Sequence, residues 1–146
     1  MAAHQDPFEA SNFVVDYGGA SGATTFSHVD LPVAVLDEIA YRSGNDRANE
    51  TRKQPGLASY SHLVLTRGMT SNLDLWDWWE STRNGDGADR DVVVRLLDGT
   101  GQLLLTWQFR NAFPAVYRVS PLDAASDDVV LETLELAFDT MDIEAS

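Results

Sequence analysis

Residues Asp91–Arg110 read DVVVRLLDGTGQLLLTWQFR. Two apolar runs flank Asp98-Gly99-Thr100-Gly101, a turn composition that joins antiparallel strands. In the second run Leu103, Leu105, Trp107 and Phe109 alternate with Leu104, Thr106, Gln108 and Arg110. A period of two puts one apolar face on a core and leaves the other mostly polar. This stretch predicts a β-hairpin, and the segments on either side of it set the fold class.

Downstream, Ala112–Val119 (AFPAVYRV) reads as a further strand, in which Pro114 marks an edge or a bulge. Asp128–Asp139 (DVVLETLELAFD) reads as a closing strand, with Leu134, Leu136 and Phe138 alternating with Glu135, Ala137 and Asp139. Upstream, Ser61–Arg67 reads as a strand ended by Gly68. Asn12–Tyr17 (NFVVDY) reads as another, with Thr24–Leu31 as its hairpin partner. Val33–Tyr41 fits a helix or a strand equally well on pattern.

One helix is expected, over about 72–83. Ser71 or Asn72 serves as its N-cap, Asp74 and Asp77 lie in the first turns where the helix dipole favours negative charge, and Asn84-Gly85 ends it. The fold class is therefore mainly β: a small β-barrel or two-sheet sandwich of about six to eight antiparallel strands with one flanking α-helix. Length suits a single domain over residues 1–146, with 1–10 as a flexible tail.

The chain is 44% hydrophobic and carries a net charge of −13. Only ten residues are basic, and they are scattered. That balance argues against binding nucleic acid or anionic lipid, because few cations are available to displace counterions from phosphate. No run is long enough to span a bilayer. The first ten residues show no basic-then-apolar leader, so synthesis in the cytoplasm is expected. With no cysteine there is no thiolate nucleophile and no thiolate metal site.

Little in the sequence points to catalysis. His4, His28 and His62 are far apart and lack a second histidine at ligand spacing. Asn84–Asp89 and Leu97–Gly101 superficially resemble calcium loops but lack the twelve-residue ligand ladder, and read as turns. Asp127, Asp128, Glu132 and Glu135 offer paired carboxylates for the acid/base work of an acidic hydrolase, but with no motif behind that they read as solvated, one of them available to an interface salt bridge. No cofactor and no metal are expected. Trp76, Trp78 and Trp79 crowd one helix and cannot all face one way. They serve either as core and subunit contact or as a sugar-stacking surface.

Residues 43–56 (SGNDRANETRKQPG) form the most polar stretch. With Arg42 included it holds four of the ten cations, Arg42, Arg47, Arg52 and Lys53, and it closes on Pro55-Gly56. It reads as a long surface loop of the kind that carries function.

Taken in order, Tyr41-Arg42-x-Gly44, the polar loop closed by Pro55-Gly56, Leu65-Thr66-Arg67-Gly68, Leu75-x-x-Trp78, Trp107-x-Phe109-x-Asn111-Ala112-x-Pro114 and V-x-L-E-T-L-E-L-A (Val129–Ala137) resemble the T4-like phage tail tube family. That family also supplies the inner tube of contractile injection systems and shares the Hcp-like tube fold. The resemblance runs from about Asp6 to Asp142. It implies a structural protein without enzymatic activity, whose hexameric rings stack into a hollow tube inside a sheath. The implied partners are other copies of the chain, the sheath protein, baseplate and spike proteins, and cargo in the lumen. Residues 42–56 become an extended inter-ring loop. Arg42, Arg47, Arg52, Lys53, Pro55 and Gly56 become contact candidates, with Trp78 near the outer or inter-subunit surface. The alternatives are a tube-initiating, baseplate-proximal ring of the same family and a monomeric ligand-binding β domain that uses the tryptophans.

Overall fold

The computed structural model describes residues 6–19, 22–42 and 51–146. Its elements are β1 (Phe13–Asp16), β2 (Ala23–Thr24), β3 (His28–Asp30), β4 (Ala34–Tyr41), β5 (Arg52–Tyr60), β6 (Leu63–Gly68), α1 (Asp74–Arg83), β7 (Arg90–Leu97), β8 (Leu103–Val119), β9 (Leu131–Ala137) and β10 (Thr140–Ala145).

The hairpin read from Asp91–Arg110 forms as β7 and the first half of β8, with Val94 opposite Trp107 and Leu96 opposite Leu105. Its turn is held by one carboxylate. Asp98 Oδ1 accepts from the Thr100 hydroxyl (2.6 Å) and from the amides of Thr100 (2.8 Å) and Gln102 (2.9 Å). The Thr100 hydroxyl first, and then those amides, hold the Asp98 carboxyl below its usual range. Gly101, at φ 87, takes the left-handed conformation the turn requires.

Strand β8 continues past Arg110 for 17 residues in all. It bends at Asn111, which sits at φ 55, a region asparagine tolerates better than most residues. Two aspartates fix the bend: the Asn111 amide donates to Asp91 Oδ1 (3.2 Å), and its Nδ2 donates to Asp139 Oδ2 (2.8 Å). The register slips between Pro114 and Val116, so the proline marks a bulge as the sequence suggested. Before the bend β8 lies between β7 and β10; after it, β8 pairs with β9.

Strand β8 therefore belongs to two sheets, β2-β1-β7-β8-β10 and β8-β9-β6-β3, all antiparallel. The path ends at β2 and β3 without meeting, so the fold is an open two-sheet sandwich and not a closed barrel. Strand β10 was absent from the sequence reading, which closed the chain at Asp139. Thr24–Leu31 does not form one partner strand either. Only Ala23–Thr24 pairs with β1, while His28–Asp30 joins β6 in the other sheet. Phe26, buried between them with its ring edge on Tyr17 (6.1 Å), carries the chain from one sheet to the other.

The inner faces bury Val15, Val92 and Phe109 from one sheet and Leu65, Leu134 and Leu136 from the other. Helix α1 covers this core. Leu73 occupies its N-cap position without a side-chain cap, and the Asn72 carboxamide oxygen instead accepts from the Asp74 amide (3.2 Å). Gly85, at φ 80, follows Asn84 and ends the helix.

Trp78 departs from expectation, since it is 2% exposed and not at a surface. Leu75 and Trp78 are three apart and so share the inward stripe of α1. The Trp78 ring stacks on Tyr17 (6.3 Å), with the Arg90 guanidinium 4.4 Å from its centroid. Trp76 and Trp79 are half-buried and stack on each other (5.3 Å), with the Tyr117 ring edge-on to Trp76 (5.3 Å).

Glu132 also departs from expectation. It is 0% exposed, not solvated. The cross-strand pairing of Arg67 with Glu132 brings the two side chains together, and Arg67 Nε donates to Glu132 Oε1 (2.6 Å). Tyr117 Oη donates to the other carboxylate oxygen (2.8 Å). Burial opposes the Arg67 charge, but Glu132, through its hydrogen bond and its charge, and then Tyr17 more than offset it, so Arg67 is raised above its usual range. Burial first, and then the Glu132 carboxylate it serves, push the Tyr117 phenol up to about 12. A phenol raised on folding favours the folded state while it stays protonated. Its contribution is complete below about pH 10, the ordinary phenol value, and is lost as pH rises toward about 12. Alkaline titration followed by circular dichroism is expected to show Tyr117→Phe losing less stability than the parent chain across that window. Equal losses in the two chains would assign the alkaline transition to other groups.

Candidate assembly interface

Strands β4 and β5 form a separate two-stranded sheet that pairs with no other strand among the described residues. The ambiguous segment Val33–Tyr41 is thus a strand, and its partner reaches back into the stretch read as a loop. Arg52, Lys53, Pro55 and Gly56 stand in β5, and Arg42 directly follows β4. Arg47 lies outside the described residues. A register slip between Leu36 and Glu38 accommodates this pairing, with Pro55 opposite Glu38. Gly56 allows the close approach: a Cβ there would sit 3.2 Å from the Asp37 carbonyl oxygen.

The hairpin is anchored at its base. The Ser61 amide donates to the Val33 carbonyl (3.1 Å), the Val33 amide donates to Ser61 Oγ (2.7 Å), and Tyr60 packs on Phe138 (5.3 Å). Beside that base, Glu135 accepts from Arg118 Nη1 (2.8 Å) and lies 3.1 Å from His62 Nδ1. Glu135 therefore serves a salt bridge within the chain.

Every residue of β4 is exposed, including Val35, Leu36, Ile39 and Tyr41, and Leu57 of β5 is 80% exposed. Cross-strand pairing puts Ile39, Tyr41, Arg52 and Gln54 on one face of the outer hairpin. Glu38, Ala40, Lys53 and Pro55 take the other face, where Lys53 Nζ meets Glu38 at 3.2 Å. An isolated two-stranded hairpin is marginal in water, and an exposed apolar one is a template for association. What this geometry can do is bind protein. The sequence missed it because a hairpin uncovered on both faces shows neither the alternation of a half-buried strand nor the apolar run of a buried one.

The model of the family described as T4-like virus tail tube protein gp19 matches residues 9–142. Among solved structures, the chain is similar to one from an extracellular contractile injection system, the PVC sheath–tube complex in its extended state. Identity is 27%, the match covers 96% of this chain and 93% of that one, and the TM-score is 0.85. It shares its fold with a chain from the baseplate of the anti-feeding prophage, at 21% identity, 97% and 98% coverage and a TM-score of 0.85. It also shares its fold, more distantly, with Hcp1 from Flavobacterium johnsoniae, at 14% identity, 92% and 95% coverage and a TM-score of 0.58. A search of curated proteins finds none that matches.

Proposed function

Because the chain belongs to the T4-like virus tail tube family, we propose that it is the structural subunit of the inner tube of a contractile tail or injection system. In this reading hexameric rings stack into a hollow tube, a sheath surrounds it, a baseplate starts it, and protein or DNA passes through. The role is mechanical and asks for no catalytic residue. The observation that carries it is the β4–β5 hairpin, whose apolar side chains are left exposed among the described residues. Such a surface is expected in a protein that completes itself by meeting its neighbours.

The tryptophans support this reading over a ligand-binding one. Trp78 is enclosed, the rings of Trp76 and Trp79 stack on each other, and Tyr117 lies edge-on to Trp76. The tube-initiating role would use the same surfaces and differ only in where stacking stops.

Charge sets the conditions of assembly. Six copies at −13 each put about −78 on a ring, so stacking is opposed by long-range repulsion that salt screens over a Debye length of ~8 Å at physiological strength. Purified protein examined by electron microscopy across a salt series, with solution mass measured in parallel, is expected to form rings at low salt and tubes as salt rises. Single rings at every salt concentration would point to the initiating role, and a monomer throughout would overturn the tube reading.

A further inference from the structure

The joint between the β4–β5 hairpin and the β8-β9-β6-β3 sheet holds an ionisable side chain. Two residues, Ser61 and His62, connect β5 to β6. Ser61 ties the joint to Val33 through two hydrogen bonds, its amide to the Val33 carbonyl (3.1 Å) and the Val33 amide to its Oγ (2.7 Å). His62 ties the joint to the sheet, with Nδ1 3.1 Å from Glu135 Oε1. A carboxylate only accepts, so Nδ1 carries the hydrogen of this bond, and a further proton goes to Nε2. The His62 side chain is 41% exposed, within reach of protons from water.

Glu135 is a well-held partner. It stands on β9, paired on one side with β6 and on the other with β8, and Arg118 Nη1 donates to its second oxygen (2.8 Å). His62 lies in a shallow cleft lined by Asp30 of β3, Tyr60 of β5, Val64 of β6 and Glu135 of β9. Arg118 of β8 enters through its bond to Glu135. His28, two residues before Asp30 on β3, pairs with Thr66 and does not line the cleft. While His62 is neutral, two carboxylates therefore face one guanidinium. Protonation of His62 balances the charges.

We infer that His62 is a pH-operated latch at the root of the hairpin. In neutral solution its Nδ1–H donates to Glu135 from an uncharged ring. In acid the same hydrogen bond joins opposite full charges, with Asp30 beside them. Imidazole is the side chain that ordinarily changes charge between about pH 5 and 8. Acid therefore fastens the joint to the sheet, and rising pH slackens it, which changes how firmly the exposed hairpin is held in one direction. The inference concerns contacts within one chain and stands whether or not copies assemble.

Hydrogen exchange read by mass spectrometry tests this on the full chain. The salt concentration is chosen to keep the solution mass constant, and rates are corrected for the intrinsic pH dependence of amide exchange. On lowering the pH from about 8 to about 5.5, protection of the peptides that contain the Val33 and Ser61 amides is expected to rise about threefold, the effect of an exposed ion pair. His62→Gln keeps a donor for Glu135 but takes no charge, and should hold the neutral-pH protection throughout. His28→Gln, on the same face but outside the cleft, should rise with the parent chain. An equal rise in His62→Gln, no rise in the parent chain, or a rise that His28→Gln loses would overturn the latch.

Discussion

Glu132→Ala lowers the free energy of unfolding by about 3–5 kcal/mol, the usual cost of leaving a buried charge without its partner. The reason is on the second sheet. Arg67 is buried, its Nε bonds to Glu132, and its Nη2 has no hydrogen-bond partner among the described residues. Removing the carboxylate strands that cation and leaves the Tyr117 hydroxyl without an acceptor. Denaturant unfolding checks the value. The decisive control is the double replacement Arg67→Met with Glu132→Leu. If the cost comes from a stranded charge, removing both charges together recovers most of the stability lost in the single variant, because packed apolar side chains replace a buried ion pair at little net cost. A double variant as unstable as Glu132→Ala would show instead that the pair itself, and not its disruption, holds the sheets together.

Trp78→Ala is expected to cost about 3–5 kcal/mol, as large-to-small changes of core aromatics do. Trp76→Ala and Trp79→Ala should each cost clearly less, since both rings keep a solvent-facing side. The same difference is visible without unfolding. A chain retaining only Trp78 among the three helix tryptophans should resist acrylamide quenching, whereas one retaining only Trp79 should be quenched readily. Equal quenching would contradict the enclosure of Trp78 between Tyr17 and Arg90.

The parts of the fold legible in the sequence are those whose side chains face the chain's own core. The β7–β8 hairpin announced itself through alternation and a Gly-containing turn, and α1 through its first-turn aspartates and Gly85. Strand β8 read as two strands because Asn111 and Pro114 interrupt it, although in the fold they bend it without ending it. The face of Trp78 was missed because three tryptophans in four positions give every side of the helix an aromatic. Its spacing from Leu75 was the signal that decided the matter. The burial of Glu132 was not legible at all: its partner lies 65 residues away in sequence, and only sheet register brings the two together. The hairpin candidates were legible as charge and length but not as strands, because β4 and β5 are exposed among the described residues and so lack the alternation of a half-buried strand.

One consequence follows from the bend in β8. A sandwich usually passes load from sheet to sheet through side-chain contacts, which slip. Here a single covalent backbone of 17 residues runs through both sheets, and β9 and β10 follow it around the same corner, with Phe113 opposite Ala137 and Arg110 opposite Thr140. A thrust applied to one sheet reaches the other along the main chain, and shearing the two layers apart must break a ladder of hydrogen bonds together. A subunit built this way resists sliding of one layer over the other with its main chain and not only with its side chains.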